Sequence, residues 1–278
     1  MLRNAMYPAF LTGPLYLLKH LGLDYPSVVQ VQPYLTQSLL VILNDYFVWR
    51  IGKKLMNKDS ARYAMLFLIF NRIQNEYIVR CFANSLEQVL TVVAFYYYID
   101  QKDRLSINTV LLTALVAMAF VMRPTCVVGW LPLLSFKVLF EGSMPPFVLS
   151  AVFIGGPILF LSVYIDTAYY NAAHGTDDWV ITMKNFLETN VVRGLSKYFG
   201  EDPWYHYLLV FCPAICTVLY PVVLLSHYKL AREQYYLVTF TTFYVVFFSV
   251  FIPHKELRFL LPVVPFVMLV VGRWYAEH

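Results

Sequence analysis

Apolar stretches recur along this chain from residue 34 to residue 273, each close to the length a helix needs to cross a bilayer. A spanning helix takes roughly 17–25 mostly apolar residues. The stretches read as about nine segments: 34–49, 62–78, 82–99, 105–122, 126–140, 146–165, 204–225, 235–252 and 258–273. Segments 62–78 and 126–140 are short, so either could be tilted or re-entrant. Charge density supports the same reading. Only 14% of the 278 residues are charged, against roughly 25% in a soluble domain. So few charges cannot cover a water-facing surface, and lipid must do the covering. The expected fold class is therefore all-α: a polytopic transmembrane helical bundle, forming one domain over 1–278.

The basic residues orient the bundle. The 50–62 connection carries Arg50, Lys53, Lys54, Lys58 and Arg62 against one acid, Asp59, and such a loop stays cytoplasmic. Counting spans onward, the turns with Lys102 and Arg104, Lys137, and Lys229 and Arg232 fall on the same side. The opposite, lumenal face then holds residues 1–33, 79–81, 123–125, the long 166–203 loop and 253–257. The unusual polar clusters lie on that face, apart from Asn44-Asp45, which reads as structural. A net charge of +4 gives no reason to infer a nucleic-acid partner. Cys81, Cys126, Cys212 and Cys216 sit in or beside apolar stretches and read as small apolar fillers. No phosphate loop, dinucleotide fingerprint, HExxH or GxSxG motif is present, which removes nucleotide hydrolases and zinc proteases.

Three clusters carry possible chemistry. His254-Lys255-Glu256-Leu257-Arg258 packs four ionisable groups into five residues between two apolar spans. Charges at a membrane boundary usually mark a site; the other reading is a solvated turn with snorkelling ends. Arg80, Asn84 and Glu87 fall at i, i+4 and i+7, which on a continuous helix is one face. Glu87 then needs a buried partner, Arg80 or a residue of a neighbouring helix. Arg123-Pro124-Thr125 closes a span with a guanidinium suited to anion capture, or to anchoring at the interface. In the 166–207 stretch, aromatic residues alternate with Asn185, Asp202, Trp204 and His206. Rings stack on sugar faces and polar groups bond hydroxyls, although an aromatic belt would look similar.

Together these clusters resemble the glycosyltransferase family 22 mannosyltransferases of the endoplasmic reticulum. The resemblance is strongest at His254-Lys255-Glu256-Leu257-Arg258-Phe259 through Pro262. Within the family the chain is most similar to the subgroup adding the third mannose of the glycosylphosphatidylinositol (GPI) anchor. The run from Arg80 through Asn84-Ser85 to Glu87, Arg123–Thr125, Asn185–Asn190 and Phe199–Tyr207 all look like that subgroup's elements. One departure is Glu201-Asp202-Pro203-Trp204, where the subgroup has a His before Pro. An acid there resembles the enzymes that extend the N-glycan precursor.

The resemblance implies a GT-C-like bundle in the endoplasmic-reticulum membrane, among membrane lipids. It implies transfer from dolichyl-phosphate mannose to a lumenal glycolipid acceptor, without a cofactor or a metal. It puts His254, Lys255, Arg258 and Arg123 on the donor phosphate, with Glu256, Glu87 and Arg80 among the binding residues. It puts Asn185, Asp202, Trp204 and His206 on sugars. The family's first span and its acidic lumenal loop, which carries the family's base, have no counterpart here. That base would precede Met1, so the catalytic base of this chain is unassigned. Alternatives are an N-glycan-precursor mannosyltransferase, an inactive homologue acting as scaffold, and a transporter.

Overall fold

The computed structural model describes residues 4–101, 105–142, 144–175 and 177–278, and among these every regular element is helical. In chain order they are α1 (Met6–His20), α2 (Pro26–Leu55), α3 (Lys58–Ile69), α4 (Arg72–Ile78), α5 (Ala83–Asp100), α6 (Ile107–Met122) and α7 (Val127–Phe140). Then follow α8 (Met144–Ser150), α9 (Gly156–His174), α10 (Thr182–Leu187), α11 (Cys212–Cys216), α12 (Tyr220–Lys229), α13 (Tyr235–Phe251) and α14 (Val264–Glu277).

The nine apolar segments are largely helical, but 62–78 is divided between α3 and α4, and 204–225 and 258–273 each include turns of other helical geometry outside the α-helices just named. Three continuous helical runs are long and apolar enough to cross a membrane: Met144–His174, Tyr207–Lys229 and Leu257–Glu277. The pair α4–α5, bent by 108°, makes a fourth if counted as one broken span. α6, α7 and α13 are apolar but shorter. α2 has 30 residues but carries Gln32, Gln37, Asn44 and Asp45 within its apolar run. These polar groups turn inward, where α2 meets its neighbours. Gln88 of α5 donates to Asn44 at 3.2 Å, Asn44 donates to Asp45 at 3.0 Å, and Gln37 donates to the Tyr7 hydroxyl at 2.6 Å. Asn44 thus ties α2 to α5 where lipid offers no partner, and Asp45 accepts from Asn44 on the same helix.

At the centre lies α14, whose residues Val264–Gly272 are all buried. It packs against α2, α3, α12 and α13. Small residues set the closest approach. A Cβ on Gly272 would stand 2.6 Å from the Ala64 amide and the Ser60 carbonyl of α3, and one on Gly52 would stand 2.9 Å from the Ala61 Cβ.

The turns read as cytoplasmic gather at one end. Lys54 pairs with Asp100, the Lys137 ammonium donates to the Gln101 carbonyl at 3.0 Å and to Glu141 at 2.9 Å, and Arg273 reaches Glu233 at 3.6 Å. Lys102 and Arg104, also read for this end, lie outside the described residues. So does Met1, the residue that the family's base would precede.

Two expectations are corrected. The break between α4 and α5 takes Arg80 off the helix that carries Glu87, so the two do not share a face; Arg80 instead pairs with Glu76 at 2.6 Å. The long connection begins at Gly175, not at 166. α9 runs through His174 and ends on Gly175 in the left-handed conformation, φ 66°, a geometry that glycine adopts without strain. Asp166 is therefore a helix residue. It is fully buried, accepting from Asn4 at 2.9 Å, the Ala5 amide at 2.8 Å and Thr182 at 2.6 Å.

Candidate functional site

Proline shapes the end of the bundle opposite the basic turns. The residue before a proline is pushed out of the helical region. Arg123, before Pro124, is accordingly extended at φ −150°, ψ 108°, which ends α6 at Met122. Ile252, before Pro253, is extended in the same way and ends α13 at Phe251. These two breaks deliver Arg123 and the 252–258 loop to one cavity of about 300 Å³. Arg123, Thr125, His254, Glu256 and Arg258 line it, together with Asn190 and the rings of Phe186, Phe199, Phe248 and Phe259.

Glu256 organises the loop. It pairs with Arg258 through two contacts, one of them 2.9 Å, and its Oε1 lies 3.1 Å from His254 Nε2. Burial pushes the Glu256 carboxyl up, but the Arg258 bond and charge, helped by His254, more than offset that. The carboxyl sits below its ordinary range. The Arg258 guanidinium lies 4.9 Å over the Phe82 ring, and its carbonyl accepts from Asn84 at 3.0 Å, which ties the loop to the first turn of α5.

Arg123 is 4% exposed. Its Nε is 3.4 Å from Glu87, which is fully buried, and its guanidinium stands 5.2 Å over Phe259. Among the described residues neither Nε nor Nη1 has a hydrogen-bond acceptor, although both are buried. A neighbouring helix thus supplies the Glu87 partner, as one of the two sequence readings required. The cavity wall combines a constrained guanidinium having spare donors, a second guanidinium and an imidazole: the donor set of an anion receptor.

Lys255 goes elsewhere. It is 5% exposed, donates to the Ile252 carbonyl at 2.7 Å and lies 5.6 Å over the Tyr207 ring. It is not among the cavity-lining residues. Burial holds its ammonium below the ordinary lysine range, against the pull of Asp202. Asp202 itself meets this loop through its amide, which donates to the Pro253 carbonyl at 3.1 Å, while its carboxylate lies 3.6 Å from His206. Trp204 is exposed and packs edge-on against Tyr205. Asn185 is half-buried on α10. None of these four residues, Asn185, Asp202, Trp204 and His206, lines the cavity; of them Asp202 meets the 252–258 loop through its amide, and Asn185 precedes the cavity-lining Phe186. Phe248 and Tyr244, whose hydroxyl is 3.5 Å from Glu87, were not singled out in the sequence, whereas Tyr207 closes the Phe199–Tyr207 element that was. An aromatic ring inside an apolar run carries no signal of what it faces. Among the described residues no group of three His, Cys, Asp or Glu side chains is placed to hold a metal ion.

Comparison with known proteins matches residues 1–277 to the family described as the Alg9-like mannosyltransferase family. The GPI alpha-1,2-mannosyltransferase 3 of Bos taurus is 30% identical over 272 residues, covering 98% of this chain and 49% of the relative. The Homo sapiens protein of the same name is also 30% identical, covering 98% and 48%. The GPI mannosyltransferase 3 of Gibberella zeae is 28% identical, covering 99% and 51%. The chain therefore spans about half the length of the curated relatives it matches. Among solved structures, ArnT from Cupriavidus metallidurans bound to undecaprenyl phosphate superposes with TM-score 0.68 at 11% identity, covering 98% of this chain and 49% of that one. The likeness shows the fold, a GT-C-like membrane bundle.

Proposed function

The chain belongs to the Alg9-like mannosyltransferase family, and on that premise we propose that it serves the transfer of mannose from dolichyl-phosphate mannose to the GPI-anchor precursor, at the lumenal face of the endoplasmic-reticulum membrane. The names of its relatives favour the GPI precursor over the N-glycan precursor as acceptor. A polyprenyl phosphate bound by a protein of the same fold supports a lipid phosphate donor.

The observation that carries the reading is the cavity lined by Arg123, Arg258 and His254, in which the Arg123 guanidinium is buried with its hydrogen bonding incomplete among the described residues. When the bond between the anomeric carbon and the phosphate oxygen breaks, negative charge grows on the departing phosphate. Preorganised donors held away from water lower the energy of that charge. Glu87 and Glu256 hold the two guanidiniums in place and moderate their charge. The aromatic walls exclude water, and Trp204, His206, Asn185 and Asp202 suit the sugars of donor and acceptor.

The test uses microsomes from cells that cannot add the third GPI mannose, with the chain expressed and labelled dolichyl-phosphate mannose supplied. The dimannosyl precursor should gain one mannose, and Arg258→Ala should lower the rate by roughly a hundredfold or more. Mannose appearing on the dolichol-linked oligosaccharide instead would replace the acceptor. Inserted protein that transfers to neither glycolipid would overturn the proposal and favour a scaffold. Solute flux in proteoliposomes without transfer would favour a transporter.

A further inference from the structure

The phenol of Tyr207 is fully buried at the start of the Tyr207–Lys229 helix. Its hydroxyl brackets one residue of the loop: it donates to the Glu256 carbonyl at 3.2 Å and accepts from the Glu256 amide at 3.3 Å. Beneath, the Lys255 ammonium lies 5.6 Å from the centre of the same ring and bonds the Ile252 carbonyl at 2.7 Å. Among the described residues no carboxylate oxygen comes within 4.0 Å of that ammonium, and the anion cavity is not lined by it. The Ile252 carbonyl takes one of the three ammonium donors, and that bond together with the ring face directs the side chain at the main chain of the loop. The Asp202 amide adds a third tie at the Pro253 carbonyl.

We propose that Tyr207 and Lys255 form a clamp on the main chain of 252–256, and that they act as positioning residues which aim Glu256, and through it His254 and Arg258, into the anion cavity. Lys255 then contributes as a buried structural cation and makes no bond to the donor phosphate. Removing either member frees the same peptide segment, so the second removal adds little. A phosphate-binding Lys255 would instead act independently of the Tyr207 hydroxyl, and the two losses would multiply.

The inference rests on the mannosyl-transfer reading for its kinetic arm only. The experiment is a double-mutant cycle of Tyr207→Phe and Lys255→Met in the full chain in microsomes. Tyr207→Phe keeps the ring and removes only the hydroxyl. Two readouts are taken: kcat/KM for dolichyl-phosphate mannose, and hydrogen exchange at the amides of 254–258. Each single change should lower kcat/KM by roughly ten- to a hundredfold, and the double change should be no worse than the weaker single within about threefold. Exchange of the Glu256 amide should quicken in both singles by roughly tenfold or more. Multiplying kinetic losses, or exchange unchanged in Lys255→Met, overturns the clamp. If the unmodified chain transfers no mannose, the functional reading fails while exchange alone decides the clamp.

Discussion

Replacing Arg123 with methionine would separate what the Arg123–Glu87 pair does for stability from what it does for chemistry. Glu87 is 0% exposed and Arg123 is 4% exposed, with 3.4 Å between them. Among the described residues the Tyr244 hydroxyl, at 3.5 Å, is the other hydrogen-bonding group at that carboxylate. Removing one partner of a buried pair leaves an uncompensated charge and costs about 3–5 kcal/mol. At roughly 2–4 °C per kcal/mol for a chain of this order of size, Arg123→Met should unfold roughly 6–20 °C lower. Replacing both partners with apolar side chains of similar volume is often neutral, so Arg123→Met with Glu87→Leu should return to within about 3 °C of the parent. Unfolding in detergent can be followed with a thiol-reactive dye, because Cys126 and Cys216 are buried while Cys81 reacts at once and sets the baseline. Transfer activity should be lost in both the single and the double variant, since both lack the guanidinium at the cavity. An Arg123→Met protein that unfolds within about 2 °C of the parent, or a double variant as unstable as the single, would refute the reasoning.

Two further outcomes follow from the geometry. Gly272→Val should destabilise by about 1–3 kcal/mol in the same dye assay, because even its Cβ meets backbone atoms of α3 at 2.6 Å and the helices must part; an unchanged midpoint would mean that α14 does not pack on α3 this closely. Glu256 titrates below its ordinary range in the folded protein, so its contribution is present above the unfolded value of about 4.3 and is lost as pH falls through the lower folded value. Parent and Glu256→Gln should therefore differ in stability at pH 7 by a gap that narrows as pH falls below about 4.3; a gap that does not change with pH across that range would show that the pair with Arg258 and His254 does not act through charge.

Much of this protein was legible in one dimension. Hydropathy is a property of consecutive residues, so the nine apolar segments could be read off, and they are largely helical, with 62–78 divided between α3 and α4. Charged residues stand out at the ends of apolar runs, so Arg123 and His254–Arg258 could be named as groups at a membrane boundary. Family resemblance was carried by contiguous motifs and needed no fold. What depended on tertiary structure was partnership and direction. Helical periodicity set Glu87 beside Arg80 only for an unbroken helix, and the 108° bend gave that partnership to Arg123, distant in sequence. Four adjacent ionisable groups looked alike in the sequence, yet the loop's fold sends His254, Glu256 and Arg258 into the cavity and turns Lys255 under Tyr207. Asp166 read as a loop acid until packing with Asn4 and Thr182 buried it on α9. The physical reason is common to all three. A charge in a lipid-surrounded bundle must be satisfied by whatever group the packing brings within hydrogen-bond reach, and that reach is set by how helices cross, which spacing along the chain does not encode.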